Sequence, residues 1–217
     1  MKKAKKILSL LLATALILAS LLSFAGCGKN PVAYLVIEGY GLVAIELYKH
    51  EAPITVAHFT KLVKEGYYDG LAFHRIIESF MIQGGSGGAK TESIQGAFYQ
   101  NGVPTGIEHV EGTVSMARLG HPYESYYNQG YINLSYADLE PYYNSASAQF
   151  FIVTETSVSN TRSLDGLYAA FGQVIEGMEH VKAIAKVATD ASDAPLTPIT
   201  ITTITFDRAK AEAALNK

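Results

Sequence analysis

Apolar and polar residues alternate along several short segments of the chain, a pattern typical of β-strands with one buried face. The clearest segment is LVAIEL at residues 42–47, which follows an apolar run at residues 33–37 and the turn EGYG. The two segments predict a β-hairpin because a glycine-bearing turn separates them. Further strands are predicted at residues 73–85, 112–118, 147–153, 168–175 and 199–206.

A helical period replaces the alternation at residues 53–66 and at residues 178–186. In the first of these segments Val56, Phe59 and Val63 share one face, so the helix is predicted to cover a core. A proline at its first position and a glycine at its end mark its limits.

Many strands, two helices and no regular βαβ alternation favour an antiparallel barrel or sandwich over a doubly wound sheet. The last strand carries an irregularity, because Ile199 and Ile201 share one parity while Ile204 has the other. A β-bulge near Thr202 or Thr203 would reconcile the two parities.

The first 26 residues differ in composition from the rest of the chain. Four lysines precede an uncharged run rich in leucine and alanine, as in an export signal. The run ends in SFAGC, which resembles a bacterial lipobox with Phe24 in place of the usual aliphatic residue. On that interpretation Cys27, the only cysteine, becomes the lipidated N-terminus. The alternative is an uncleaved anchor, since about 20 apolar residues can span a bilayer. Either way, the domain is expected outside the cytoplasm, tethered to the bacterial cell membrane.

These features divide the chain into four parts. We predict a lipoprotein-type signal peptide at residues 1–26, a short tether at residues 27–32, one domain at residues 33–207 and a loosely helical tail at residues 208–217. Because the chain has a single cysteine, an intrachain disulfide is excluded.

The residues that follow the leader are predominantly acidic, and their motifs do not favour a nucleic-acid, metal, serine-nucleophile or phosphate-loop site. Four of the 17 basic residues lie in the leader, which leaves 13 against 20 acidic residues, so no nucleic-acid partner is expected. The six histidines form no metal-ligand motif, and a Ser-His-Asp hydrolase is not expected. GGSGGAKT at residues 84–91 lacks a glycine that a phosphate-binding loop needs, and no helix-forming sequence follows it.

Three separated stretches resemble one family in the same order along the chain. Residues 51–85, ending in FHRIIESFMIQGG, are similar to the first half of a cyclophilin, the peptidyl-prolyl isomerase family. GTVSMAR, SASAQFFIVT and SLDGLYAAFGQVIEGM are similar to its second half. The resemblance covers roughly residues 34–206 and implies a mainly β fold: a closed eight-stranded antiparallel barrel capped by two α-helices.

The resemblance also implies a site. Arg75 matches the catalytic arginine, with Phe80 and Gln83 beside it. The residues that match the proline pocket, its polar contacts and the edge where substrate backbone binds are Met81, Ala117, Arg118, Gln149, Phe151, Leu164 and Tyr168. Arg118 replaces an asparagine common in eukaryotic members, and Tyr168 replaces a histidine. Ser163 stands where many eukaryotic members have tryptophan, so cyclosporin sensitivity is expected to be weak.

An insertion at about residues 119–146 lengthens the link between Arg118 and Gln149 and contains seven tyrosines. Two interpretations remain open. The tyrosines could form a rim that selects substrates, because they give large contact area at low entropy cost. Alternatively, the insertion is a self-packed surface loop that covers the barrel.

The sequence therefore predicts a peptidyl-prolyl cis-trans isomerase that acts on X-Pro bonds of unfolded or partly folded exported polypeptides. No cofactor or metal is expected, and the chain is expected to be a monomer. The alternative is a non-catalytic chaperone or peptide-binding surface lipoprotein on the same fold.

Overall fold

A computed structural model describes residues 28–157, 161 and 163–215. The predicted signal peptide and the lipidation site Cys27 lie outside the described residues. Residues Pro31–Lys217 form one unit, and the fold below is that of this unit. Its strands are β1 (Val32–Ile37), β2 (Gly41–Leu47), β3 (Ala72–Ile77), β4 (Met81–Ser86), β5 (Thr113–Met116), β6 (Phe150–Val153), β7 (Ala169–Glu176) and β8 (Ile199–Thr205). Its helices are α1 (Pro53–Lys64), α2 (Glu124–Asn128), α3 (Tyr136–Tyr143), α4 (Met178–Ile184) and α5 (Arg208–Ala214), with a 3₁₀ turn at Tyr99–Asn101.

The eight described strands close into an antiparallel barrel in the order β1-β2-β7-β5-β6-β4-β3-β8. β1 pairs with β2 on one side and with β8 on the other, so every strand of the ring has two neighbours. The predicted eight-stranded closed barrel is confirmed. Its interior is filled by large apolar side chains with almost no exposure, among them Leu35, Ile45, Phe73, Phe150 and Phe171.

The bulge predicted in the last strand is present. Val36 of β1 pairs with Thr203, whereas the next residue, Ile37, pairs with Ile201, so Thr202 has no partner in β1. The extra residue resets the alternation of side chains. Ile201 and Ile204 consequently both reach the buried core despite their opposite parity.

Both predicted helices are also present. Phe59 of α1 lies with its ring centroid 5.8 Å from that of Phe150 and 5.1 Å from that of Phe171. On α4, Val181 and Ile184 are buried against the same core. Each helix thus covers apolar side chains of the barrel, as its sequence period indicates.

Three further helices lie outside the predicted pair. α2 and α3 are both in the insertion, and α5 is in the C-terminal tail. The tail was predicted to be loosely helical, but α5 packs on the barrel: Ala211 is fully buried, and Arg208 forms a two-pronged ion pair with Glu176 at 2.7 and 2.9 Å.

Candidate active site

A small pocket lies on the outer surface of the barrel. Along β6, Phe150 and Ile152 belong to the interior core, whereas the alternate residues Phe151 and Val153 join a separate cluster with Met81. Side chains of alternating strand positions face opposite sides of a sheet, so this second cluster faces outward. The pocket in it, called the outer pocket here, is lined by Arg75, Phe80, Met81, Gln83, Ala117, Arg118, Phe151, Leu164 and Tyr168.

The outer pocket brings together nine of the ten catalytic and binding residues predicted for the domain. The tenth, Gln149, lies beside it, because the side-chain amide of Gln83 donates a hydrogen bond to Gln149 Oε1 at 2.9 Å. The pocket volume is about 130 Å³, well below the roughly 300–1,000 Å³ typical of drug-sized ligand sites. It therefore suits one small apolar group. A larger open hollow of about 560 Å³ beside α5 is lined by none of these ten residues.

A bulge at His74 turns Arg75 toward the outer pocket, and a second bulge lies nearby at Gly85. Phe73 pairs with Gly84 and Arg75 pairs with Gln83, so His74 is an extra residue in β3. Ala72 pairs with Ser86, so Gly85 is likewise an extra residue in β4. Without the bulge at His74, the Arg75 side chain would share the inward face of Phe73. Gly85 has a φ of 84°, and a Cβ there would lie 2.8 Å from the carbonyl oxygen of Ala148. Glycine at position 85 thus permits both the left-handed backbone and the close approach of the neighbouring segment.

Arg75 is held by an aspartate that sequence reasoning missed. Its Nε donates to Asp193 Oδ2 at 3.2 Å, across 118 residues of chain, and the main-chain N–H of Ile76 donates to the Asp193 carbonyl at 2.8 Å. Asp193 itself has a φ of 63°. Asp190 Oδ1 accepts from the main-chain N–H of both neighbours of Asp193, at 2.8 and 3.0 Å, which shapes the turn. No local motif in DASDAP indicates this contact.

The apolar walls of the outer pocket are tightly packed. Met81, Phe151 and Leu164 are each less than a tenth exposed. The Phe151 and Tyr168 rings meet edge to face, with centroids 5.7 Å apart and an interplanar angle of 83°. Such aromatic contacts hold ring orientation as well as burying area.

A buried hydrogen-bonded chain lies behind the Phe151 wall. His109 Nδ1 is 2.9 Å from Asp165 Oδ1, and His109 Nε2 is 3.1 Å from Ser115 Oγ. Because a carboxylate only accepts, Nδ1 carries the proton and the serine hydroxyl donates to Nε2. The imidazole stacks on Phe151 with ring centroids 6.0 Å apart. His109 and Ser115 are both buried, so these two side chains support the wall and do not reach the surface.

Burial lowers the pKa of His109 below its ordinary value, although the hydrogen bond and charge of Asp165 oppose the shift. The pKa of His74 is lowered as well, chiefly by burial, with a smaller opposing contribution from its hydrogen bond to Gln149. Neither histidine is therefore set up as a cation beside the outer pocket. Over the described ranges there is no group of three histidine, cysteine or acidic side chains placed to hold a metal ion.

Ala117 and Arg118, which were both predicted to bind the substrate backbone, have different surroundings at the edge of the outer pocket. The main-chain N–H of Ala117 donates to the Gln149 carbonyl at 2.9 Å. The Ala117 carbonyl is therefore the main-chain group of this residue that could accept a hydrogen bond from a substrate peptide. The Arg118 side chain is only 2% exposed and is ion-paired with Glu124 of the insertion. Glu124 was not singled out by sequence reasoning, because nothing local links it to the pocket.

Residues 33–206 match the family model described as cyclophilin type peptidyl-prolyl cis-trans isomerase/CLD. The chain belongs to the cyclophilin family. It is 37% identical over 149 residues to a peptidyl-prolyl cis-trans isomerase of Acinetobacter baylyi, an alignment that covers 67% of each chain. It is 33% identical over 149 residues to peptidyl-prolyl cis-trans isomerase B of Bacillus subtilis, covering 69% of this cyclophilin and 87% of that protein.

The fold comparison agrees. A crystal structure of a Cryptosporidium parvum cyclophilin type isomerase, obtained in the presence of the dipeptide Ala-Pro, superposes with a TM-score of 0.61 at 24% identity. The superposition covers 80% of this cyclophilin and 97% of the other chain. The enzyme class predicted from the sequence, a peptidyl-prolyl cis-trans isomerase, is confirmed by the family and its relatives.

Proposed function

We propose that this cyclophilin isomerises X-Pro bonds of exported polypeptides outside the cytoplasm, as a monomer held to the membrane by a lipid on Cys27. The lysine-rich start and apolar run that end at SFAGC support this location. Paired neighbours on both sides of every barrel strand support the monomer, because a closed sheet offers no free edge to a second copy. Among the described residues, no helix has the length and apolar character needed to cross a bilayer.

The chemical task is rotation about a conjugated bond. The X-Pro amide has a rotation barrier of about 18–20 kcal/mol, because the nitrogen lone pair is delocalised into the carbonyl. Uncatalysed exchange therefore takes roughly tens to hundreds of seconds. In the half-rotated state the conjugation is lost and the nitrogen lone pair becomes an acceptor. A donor that meets this lone pair binds the twisted state better than either planar isomer, and only such differential binding lowers the barrier.

Arg75 is the donor we assign to this step, and its place in the outer pocket is the observation that carries the mechanism. Its Nε is engaged by Asp193, which leaves the Nη1 and Nη2 donors for the substrate. A guanidinium suits the role because it stays charged and presents its donors in a rigid plane.

The apolar walls supply the remaining stabilisation. An acceleration of about 10⁵-fold requires about 7 kcal/mol, at about 1.4 kcal/mol per tenfold. One preorganised donor typically contributes about 3–4 kcal/mol. We assign the rest to Phe80, Met81, Phe151 and Leu164, which would hold the pyrrolidine ring while the preceding carbonyl swings. Gln83 and Gln149, joined by their hydrogen bond, would position the substrate backbone.

The activity is tested with the full-length chain in mild detergent. Exchange of a short X-Pro peptide, followed by NMR without a coupled protease, should be accelerated at catalytic enzyme concentrations. Refolding of an exported protein that has a proline-limited phase should be accelerated in parallel. Absence of both effects from folded enzyme would refute the proposal.

The location is tested separately by lipid labelling in a bacterial host that processes lipoproteins. Wild-type chain should incorporate labelled fatty acid and fractionate with membranes, whereas Cys27→Ser should not be labelled. Membrane retention of an unlabelled wild-type chain would instead support the uncleaved anchor.

A non-catalytic chaperone role is a second candidate, because the insertion presents Tyr123, Tyr126, Tyr131 and Tyr136 with half or more of each side chain exposed. Aggregation of an unfolded client should then be suppressed equally by wild-type enzyme and by Arg75→Ala. Suppression that disappears together with isomerase turnover would argue against this second role.

A further inference from the structure

The Arg118 side chain joins the insertion to the wall of the outer pocket. Its Nε donates to the Leu167 carbonyl at 2.8 Å, in the segment that leads into Tyr168. Its Nη1 donates to the Leu119 carbonyl and to Glu124 Oε2, each at 3.0 Å, and its Nη2 donates to Glu124 Oε1 at 2.5 Å. The guanidinium is therefore committed to the protein itself, and its donors are not directed at a substrate.

Aromatic rings from three different segments surround the same guanidinium. Its central carbon lies 4.7 Å from the ring centroid of Tyr168, 5.1 Å from that of Tyr143 and 5.5 Å from that of Phe98. Tyr168 lines the outer pocket, whereas Tyr143 belongs to α3 of the insertion. Cation–π contacts of this kind gain strength when the cation is desolvated.

Glu124 is the counter-charge that makes this burial possible. The side chains of Arg118 and Glu124 are 2% and 11% exposed, and the two groups meet in a bidentate pair. Glu124 Oε2 also accepts from the main-chain N–H of His121. A buried guanidinium that loses the carboxylate paired with it is strongly disfavoured, so Arg118 would leave its place. The Leu167 carbonyl and the Tyr168 ring would then lose their partner together.

We propose that Glu124 is a positioning residue of the isomerase: it holds Arg118 in the arrangement that fixes the Leu167–Tyr168 wall of the outer pocket. The inference rests on the proposed role of this pocket in binding proline. It also assigns a function to the insertion. No insertion tyrosine lines the described pocket, so the insertion acts on substrate binding through this ion pair and not by direct contact.

The test compares Glu124→Gln with Glu140→Gln, which removes an exposed carboxylate from α3 of the same insertion. Initial rates of X-Pro exchange are measured on full-length enzyme over a range of peptide concentrations, so that KM and kcat are separated. Glu124→Gln should raise KM about tenfold and keep kcat within about twofold, because Arg75 is untouched. Glu140→Gln should match wild type. Unchanged KM in folded Glu124→Gln, or an equal rise in both variants, would overturn the proposal.

A double variant separates positioning from stability. Arg118→Met with Glu124→Leu removes both charges, and replacing a buried ion pair by apolar residues of similar size commonly preserves or raises stability. This variant should melt at or above the wild-type temperature yet keep the raised KM, because the Leu167 carbonyl and Tyr168 remain unsupported. A return of KM to the wild-type value would show that the pair only stabilises the fold. This result decides the matter even where Glu124→Gln does not fold.

The two proposals can fail independently. Absence of turnover in wild-type enzyme, or full turnover in Arg75→Ala, contradicts the proposed function. Loss of turnover in Arg75→Ala together with wild-type KM in Glu124→Gln contradicts only the positioning role.

Discussion

Replacing Arg75 by alanine tests the central step of the proposed mechanism, because the structure allows its effects on catalysis and on folding to be calculated separately. The Arg75 and Asp193 side chains are 44% and 41% exposed, so their ion pair is open to water. Exposed pairs contribute about 0–1 kcal/mol to folding. The main-chain bond from Ile76 to Asp193 does not involve the side chain and is kept. Stability should therefore fall by less than about 1 kcal/mol.

The catalytic effect should be much larger. Loss of one preorganised donor to the transition state typically costs about 10²–10³-fold in rate, or about 2.7–4 kcal/mol. We expect kcat/KM of Arg75→Ala to fall by that factor, while the melting temperature drops by no more than about 2–4 °C. The contrast between the two magnitudes is the diagnostic feature, because a general loss of folding would change both.

The assay is protease-free NMR exchange of an X-Pro peptide, with thermal unfolding measured on the same preparations. Arg208→Ala is the matched control: its side chain is 47% exposed and ion-paired with Glu176 and Glu212, but it lies on α5 and does not line the outer pocket. The control should retain wild-type kcat/KM. Arg75→Ala with wild-type kcat/KM would refute the assignment of the donor.

Three further predictions concern the surroundings of the outer pocket. The free energy of unfolding should fall as pH drops below about 6.5, because the pKa of His109 in the folded state lies below its ordinary value of about 6.5 and the unfolded chain then binds more protons. In denaturant titrations at pH 7.5 and 5.5, His109→Gln should reduce this pH dependence, and an unchanged dependence would contradict the buried neutral state. Asp193→Asn should lower kcat/KM by at most about fivefold, since an exposed ion pair is worth about 0–1 kcal/mol. It should cause no further loss of kcat/KM when combined with Arg75→Ala, and an additive loss in the double variant would show that Asp193 acts independently. Gly85→Ala should lower the free energy of unfolding by roughly 1–3 kcal/mol, because the backbone at position 85 is left-handed, and a Cβ 2.8 Å from the Ala148 carbonyl oxygen would add to the loss. An unchanged denaturant midpoint would contradict this prediction.

Sequence reasoning recovered the parts of this cyclophilin that local pattern encodes. Alternation and period identify α1, α4 and six of the eight described strands, because the spacing of apolar residues reports which face of an element is buried. The segment predicted as one strand at residues 73–85 is instead divided by a turn at residues 78–80 into β3 and β4. The shift of parity among the isoleucines of the last strand locates its bulge at Thr202 for the same reason. The motifs also supply the composition of the outer pocket, since nine of ten predicted residues line it.

Contacts between distant segments could not be obtained in this way. Asp193 meets Arg75 across 118 residues, and the signal in its own neighbourhood is only that of a turn. The insertion, interpreted either as a rim or as a self-packed loop, contains the buried partner of Arg118. A carboxylate on a short helix looks the same in sequence whether it faces water or a buried guanidinium. Cys27 and the export of the domain stay predictions.

The sequence by itself determined which residues form the barrel and which chemical groups are available to a proline-binding pocket, because both are properties of local spacing and residue type. The tertiary structure decided where those groups point. His74 and Gly85 are left unpaired only when β3 and β4 align in their observed register, and that alignment turns Arg75 from the barrel interior to the outer pocket. Register depends on the closure of the whole ring, so no single segment can specify it.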